Sequence, residues 1–138
     1  MTSYGIKLVS AGWKDDPVIG FSNKGYQRWK DSMQPGTRML LYETGTPPPG
    51  VKFTGTKSII GEVEVTGSFE DGEKLRSPTE HHDRVIPVKV LRPRREGKSI
   101  PLDRVRELIG DEKWPRMGET WKPLEKDVYD QLCAELEK

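Results

Sequence analysis

Two short apolar runs separated by a proline-rich loop constrain the fold of this chain more than any other feature. The first run, Met39–Tyr42, follows the turn dipeptide Pro35-Gly36, and the second run is Ile59–Val65. The loop between them contains Pro47–Gly50. Proline and glycine mark turns, and short apolar runs rich in β-branched residues are typical of strands. The stretch 33–65 therefore predicts two consecutive β-strands.

Further strands and short helices are predicted on both sides of this pair. β-Branched runs indicate strands, and apolar residues spaced by three and four indicate helices. The predicted strands are Tyr4–Val9, Val85–Leu91 and a short one within Trp114–Pro123, and the predicted helices are Gly25–Met33, Pro101–Ile109 and Leu124–Leu136. The segments Asp15–Asn23 and Gly67–Asp83 are expected to be irregular, apart from one helical turn in the second.

Single prolines and glycines refine these boundaries. Pro87 lies inside a predicted strand and has no N–H to donate, so the strand is expected at a sheet edge or at a bulge. Pro101 suits the start of a helix and Gly110 suits its end. With 138 residues, the chain has enough length for one core. The sequence thus predicts a single α+β domain over residues 1–138, a small β-barrel with short flanking helices and a C-terminal helix.

The charge of the chain is balanced overall but uneven locally. The net charge is +1, which gives no overall attraction to nucleic acid. The stretch Arg84–Arg106 nevertheless carries eight basic residues against two acidic ones, Glu96 and Asp103, with Asp83 just before it. Such a basic strip either contacts phosphates or is solvated surface, and charge alone does not choose between them.

Cysteine and histidine are too few for most metal or catalytic sites. Cys133 is the single cysteine, so no intramolecular disulfide forms, and its place in a helical pattern predicts a small buried side chain. His81 and His82, beside Asp83, form one metal-like cluster with no second group to complete it. We therefore expect no cofactor, no metal and no catalytic constellation. No apolar run reaches membrane-spanning length, and we expect an intracellular, cytoplasmic protein.

The order of these motifs resembles the EVE family of the PUA-like superfamily, whose relatives include YTH, SRA and ASCH domains. The resemblance covers nearly the whole chain and rests on five features. They are Trp13 after the first strand, Met33-x-Pro35-Gly36 before a strand ending in Tyr42, Ile59-Ile60-Gly61-Glu62-Val63, Ile100-Pro101-Leu102 before a helix, and the terminal Leu124-x4-Tyr129-x2-Leu132 pattern. The opening Lys7-Leu8-Val9-Ser10 and the stretch Asp15–Asn23 depart from the family pattern.

This resemblance implies a PUA-like pseudobarrel with a pocket between the first strand, the following helix and the central strands. The relatives accept a flipped, often modified, nucleobase in that pocket. An aromatic or apolar wall would stack on the base, and polar groups would read its edge. The residues assigned to the base-binding pocket are Lys7, Ser10, Trp13, Phe21, Asn23, Trp29, Tyr42, Glu43 and Thr44. Those assigned to phosphate contacts are Arg92, Arg94, Arg95 and Arg116.

Each assignment has a simpler alternative. Trp13 either lines the pocket or closes the edge of the core, and Trp29 either faces the ligand or packs into the core. Glu43 either accepts from a base amino group or is a solvated turn carboxylate. We predict a module that binds DNA or RNA through a modified base and performs no chemistry. An ASCH-like enzyme acting on RNA or nucleosides and a protein-interaction domain are the alternatives.

Overall fold

A computed structural model describes residues 2–45, 55–71 and 84–138. In these ranges eight strands form one strongly curved sheet, and three helices flank it. The strands are β1 (Tyr4–Val9), β2 (Val18–Phe21), β3 (Arg38–Glu43), β4 (Ser58–Val65), β5 (Glu70–Asp71), β6 (Arg84–Arg92), β7 (Ile100–Pro101) and β8 (Trp121–Pro123). The helices are α1 (Asn23–Trp29), α2 (Leu102–Ile109) and α3 (Lys126–Leu136).

The strand order places the predicted central pair in the middle of the sheet. The order is β2-β6-β4-β3-β1-β8, with β5 beside β6 and β7 beside β4. The neighbours β3 and β4 are antiparallel, whereas β1 and β3 are parallel and pair from Tyr4↔Arg38 to Val9↔Glu43. A parallel pair needs a crossover connection, and here β2 and α1 lie on that connection.

The central strand β3 is buried on both faces because its side chains alternate between two cores. Met39 and Leu41 belong to a core inside the curved sheet, whereas Leu40 and Tyr42 belong to a second core. The second core is completed by α2 and α3, among others through Leu132. This arrangement explains why the sequence run Met39–Tyr42 is continuously apolar rather than alternating.

Most predicted elements are confirmed, with three main differences; in addition, Glu70–Asp71 forms the short strand β5 within a segment that was expected to be irregular. The first is β2, because the expectation of an irregular Asp15–Asn23 was wrong. Val18–Phe21 is a strand in which all four residues are buried, and it pairs with the first half of β6. The second is α1, which ends at Trp29 rather than at Met33. In contrast, α2 ends at Ile109, as predicted. The residue that follows it, Gly110, has a φ of +71°.

The third difference concerns Pro87. The sequence predicted an edge strand or a bulge at Pro87; the strand β6 is flanked by β2 and β4, so the edge alternative was wrong. Pro87 lies where β6 changes partner: it pairs with Val18 of β2, and the next residue, Val88, pairs with Val65 of β4. A residue without an N–H is tolerated at this point because neither ladder is continuous through it.

The predicted helical turn within Gly67–Asp83 and the Pro47–Gly50 loop lie outside the described residues, apart from 67–71. No helix in the three described ranges is long and apolar enough to cross a membrane.

Candidate functional site

A cleft opens where the parallel strands β1 and β3 end. Carboxyl ends of neighbouring parallel strands lie at the same sheet edge, and ligands of open α/β sheets bind at such edges. The cleft has a volume of about 180 Å³. A cavity of about 150 Å³ is large enough for benzene, so this cleft has room for one six-membered ring. Its lining residues are Lys7, Leu8, Val9, Ser10, Ser22, Thr44 and Thr120.

The polar lining of the cleft consists of hydroxyl groups and one ammonium group. Lys7 is only 3% exposed. Its Nζ donates to the carbonyl of Leu8 at 2.8 Å and lies 4.6 Å from the centre of the Phe21 ring. Ser22 accepts a hydrogen bond from the N–H of Gly25 at 3.1 Å and so caps α1. The Lys7 ammonium can only donate hydrogen bonds, whereas the hydroxyls both donate and accept, so the lining suits a ligand that presents a carbonyl or ring-nitrogen acceptor to Lys7.

A group of three aromatic rings packs next to Lys7 of the cleft. Phe21 and Tyr26 each meet the ring of Phe69 edge to face, with ring centres 5.0 Å apart. Phe21 is buried, whereas Tyr26 and Phe69 are half-buried. Because edge-to-face packing restrains all three rings, Phe21 is a fixed platform beneath the Lys7 ammonium.

The end of β3 carries a buried, fully paired carboxylate. Glu43 is 1% exposed and accepts hydrogen bonds from the N–H groups of Gly12 and Thr56, both at 2.8 Å. Arg94 binds both carboxylate oxygens, at 2.5 and 3.2 Å, and also donates to the carbonyl of Trp13 at 3.1 Å. We call the Glu43–Arg94 pair, with these three backbone groups, the loop clamp. It ties the β1–β2 loop, the β3–β4 connection and the residues after β6 together.

The loop clamp also sets the ionisation of Glu43. Burial alone would raise the pKa of this carboxyl, but the hydrogen bonds from Arg94, Gly12 and Thr56 outweigh it. The pKa of Glu43 is therefore lower than that of an ordinary glutamate.

A second buried carboxylate lies on the opposite side of the sheet. Glu62 of β4 is 1% exposed and is paired with Arg92. The Tyr129 hydroxyl donates to it at 2.6 Å, and the Cys133 thiol lies 3.7 Å away. Burial, together with this carboxylate, raises the pKa of the Tyr129 hydroxyl and raises that of the Cys133 thiol to about 12. The thiol is therefore protonated at neutral pH and is a poor nucleophile.

The structure brings part of the predicted pocket together. Lys7, Ser10 and Thr44 line the cleft, and Phe21 lies beneath Lys7. Asn23 begins α1 and is exposed, beside the cleft residue Ser22. These residues come from three separate segments of the chain.

The remaining predicted pocket residues lie elsewhere. Trp13 is fully buried in the inner core, and Tyr42 is buried in the second core, where its ring meets Trp114 edge to face at 5.1 Å. Trp29 is half-buried on α1, and Glu43 belongs to the loop clamp. Any contact between Glu43 and a base would have to displace Arg94.

Four cleft residues were not among those assigned from the sequence: the apolar Leu8 and Val9, and the polar Ser22 and Thr120. Ser22 carries a sequence signal, since a serine before a helical segment is a preferred N-cap. Thr120 carries none, because it reaches the cleft only through the pairing of β8 with β1, where Leu8 N–H donates to the Thr120 carbonyl at 2.8 Å.

The four arginines assigned to phosphate contacts are all bound to protein carboxylates. They form the pairs Arg92–Glu62, Arg94–Glu43, Arg95–Glu137 and Arg116–Asp111. The guanidinium of Arg116 holds the pKa of Asp111 at about 2. Their role in phosphate binding stays a prediction, and it requires each arginine to exchange or share its carboxylate.

No cluster of three or more candidate metal ligands occurs in residues 2–45, 55–71 and 84–138. The metal-like sequence His81-His82-Asp83 lies outside those ranges.

Comparison with known proteins shows the fold of this chain. No protein-family model and no curated protein matches its sequence. Among solved structures, human THYN1 in complex with 5-methylcytosine-containing DNA has a TM-score of 0.62 at 14% identity, over 99% of this chain and 98% of that one. The YTH domain of Zygosaccharomyces rouxii MRB1 in complex with N6-methyladenosine RNA has a TM-score of 0.65 at 9% identity, over 99% and 85% of the two chains.

A third solved structure, protein Atu2648 from Agrobacterium tumefaciens, has a TM-score of 0.62 at 13% identity and covers 97% of this chain and 92% of that one. At identities this low, the likeness establishes the fold alone. The α+β PUA-like fold expected from the sequence, which THYN1 and the YTH domain share, is thereby confirmed.

Proposed function

We propose that this chain is a nucleic-acid-binding module that holds one base, in modified form, in the cleft at the ends of β1 and β3. The observation that carries the proposal is a ring-sized cleft, lined by hydrogen-bond donors, at the carboxyl ends of two parallel strands. Solved proteins of the same fold are complexes with 5-methylcytosine DNA and with N6-methyladenosine RNA, which supports the proposal.

In this proposal the residues around the cleft have separate roles. Lys7, Ser10 and Thr44 donate hydrogen bonds to acceptors on the base edge, together with the hydroxyls of Ser22 and Thr120. The Phe21 ring supports the Lys7 ammonium from below. The loop clamp acts indirectly, because Glu43 and Arg94 fix the two loops that follow β1 and β3.

The remaining predicted residues also have a place in the proposal. Asn23, which follows the cleft residue Ser22, and Trp29 both lie on α1, along which we propose that the flanking nucleotides of a strand pass. Trp13 and Tyr42 act as core residues that hold β1 and β3 in position. A cytoplasmic location, and a choice between DNA and RNA, stay predictions.

The test is a fluorescence-anisotropy titration against short DNA and RNA strands, unmodified and carrying 5-methylcytosine, 5-hydroxymethylcytosine or N6-methyladenine. We expect tighter binding to one modified strand than to its unmodified copy, with the strand recovered chemically unchanged. The Lys7→Met and Ser10→Ala variants should lose most of that preference, since each removes one donor, worth about 1 kcal/mol or fivefold in affinity.

A matched control is Lys89→Met, which removes an equal charge from an exposed lysine of β6 that pairs with Glu64. It should keep the preference of the wild type. Equal binding of all strands by the wild type at low salt would refute the base-reading proposal. Conversion of a strand into a new product would favour the enzymatic alternative.

A further inference from the structure

Most cations of the basic strip Arg84–Arg106 already have partners within the protein. Of its eight cations, seven bind a protein carboxylate or a backbone carbonyl. The contacts are Lys89–Glu64, Arg92–Glu62, Arg94–Glu43, Arg95–Glu137, Lys98 with the carbonyls of Glu137 and Lys138, Arg104–Glu135, and Arg106 with the carbonyl of Trp114. A cation already paired with a carboxylate gains little from a phosphate, because it must give up one anion for the other. The eighth cation, Arg84, is the first residue of the strip.

A different set of cations has no carboxylate partner among the residues that the structure describes. Helix α1 has no buried residue, and the segment 22–30 contains no acidic side chain. Lys24, Arg28 and Lys30 are exposed, and in the described part of the chain no carboxylate lies within 4.0 Å of their charged groups. We call these three lysine and arginine side chains, together with Arg84, Tyr26 and Trp29, the α1 surface.

Three of the four cations of the α1 surface lie over its aromatic rings. The Arg28 guanidinium lies 4.9 Å from the Trp29 ring centre, the Arg84 guanidinium 4.9 Å from that of Tyr26, and the Lys30 ammonium 5.8 Å from that of Tyr26. A guanidinium that stacks through its face keeps its N–H groups directed outward along its edge. Those N–H groups are suited to two-point contact with phosphate oxygens.

The α1 surface is continuous with the cleft. Ser22 both lines the cleft and caps α1, and Arg84 is the register partner of Phe21 in the β2–β6 ladder. At 1.5 Å per residue, the cations of the helix extend about 12 Å from Ser22 at the cleft to Lys30. That distance corresponds to roughly three to four nucleotide steps of a stacked strand at about 3.4 Å each.

We propose that the α1 surface, rather than the basic strip, binds the sugar–phosphate backbone of the strand whose base enters the cleft. This inference rests on the proposed function and adds the path of the strand. Basic side chains interleaved with exposed aromatic faces are what single-stranded nucleic acid binds, because the cations contact phosphates while the rings accept bases. The half-exposed Trp29 provides such a ring next to Arg28.

The experiment compares two double variants that lose the same charge. Lys24→Gln with Arg28→Gln alters the α1 surface, and Arg95→Gln with Lys98→Gln alters the strip. Binding of one fluorescent single strand is measured across a salt series, and thermal unfolding confirms that both variants are folded. Each lost phosphate contact lowers the slope of log affinity against log salt by about 0.7 for a single strand.

We expect the α1 variant to bind about tenfold more weakly at low salt, with a slope smaller by about 1.4. The strip variant should keep the slope of the wild type. An unchanged slope in the α1 variant would overturn this inference, and a smaller slope in the strip variant would assign the backbone to the strip instead. In both cases a preference for a modified strand that Lys7→Met abolishes would leave the proposed function standing. Absence of binding by the wild type would overturn both.

Discussion

Removal of Arg94 should destabilise the protein more than neutralisation of its partner Glu43. The variant Arg94→Met leaves a carboxylate that is 1% exposed with only the N–H groups of Gly12 and Thr56 as donors. Breaking a buried ion pair from one side costs about 3–5 kcal/mol, and the two remaining donors place this case near 3 kcal/mol. The variant Glu43→Gln leaves no buried charge, since Arg94 is 31% exposed and remains hydrated.

Glu43→Gln should therefore lower the free energy of unfolding by about 2 kcal/mol, because one hydrogen-bond donor is left facing the NH2 group of the new amide. The double variant should cost less than the sum of the single ones, with a coupling of about 2 kcal/mol. The assay is chemical unfolding at pH 7, followed by tryptophan fluorescence, on the wild type, both single variants and the double variant. An additive cycle, or a cost below about 1 kcal/mol for Arg94→Met, would refute the description of the loop clamp as a buried ion pair.

The same pair predicts a pH dependence with a definite sign. The pKa of Glu43 is lower in the folded protein than its ordinary value of 4.5. Its ionised form therefore stabilises the folded state at pH values above 4.5, and this contribution is lost as the pH falls from there through the folded pKa. The stability difference between the wild type and Glu43→Gln should shrink between pH 5 and acid pH. A difference that stays constant over this interval would contradict the assigned ionisation.

Three further outcomes follow from buried contacts. Gly61→Ala should lower stability by about 1–3 kcal/mol in thermal unfolding, because a Cβ there would lie 2.7 Å from the Trp13 ring; wild-type stability would show that the ring moves freely. Tyr129→Phe should cost about 1.5–3 kcal/mol in urea unfolding, because it removes a hydrogen bond to the buried Glu62 carboxylate; a neutral result would mean that water replaces the hydroxyl. Cys133 should react with a thiol reagent at pH 8 much more slowly in the native than in the unfolded protein, because its side chain is buried and its pKa is raised to about 12; equally rapid labelling of the two states would refute both its burial and its raised pKa.

Sequence patterns predicted the elements whose apolar residues repeat clearly. Strands β3, β4 and β6 and helices α2 and α3 come from runs bounded by proline or glycine, and local sequence determines such boundaries. The strand β2 was missed because its four residues lie between Pro17 and a polar segment and contain Gly20. Its strand conformation comes from pairing with β6, which lies more than sixty residues further along the chain.

The candidate site was predictable only in part, for the same reason. Lys7, Ser10 and Thr44 follow from their places at the ends of two predicted strands. The pairing of Glu43 with Arg94 joins residues 51 positions apart, and no local pattern reveals it. The sequence does not show which basic residues have a carboxylate beside them. The basic residues of the strip and those of the α1 surface can therefore be told apart only from their contacts in the structure.

The position of β1 between β3 and β8 has a consequence for the order of folding. Its register with β8 joins Gly5 to Pro123, so nearly the whole chain separates the two partners. At synthesis rates of about 5–20 residues per second, the ribosome would make the partner of the first strand roughly 6–24 s after the strand itself. Until then one edge of β1 is an open template for other strands. Such non-local pairing is typical of domains that fold in milliseconds to seconds, and it makes the nascent chain a candidate for protection by chaperones.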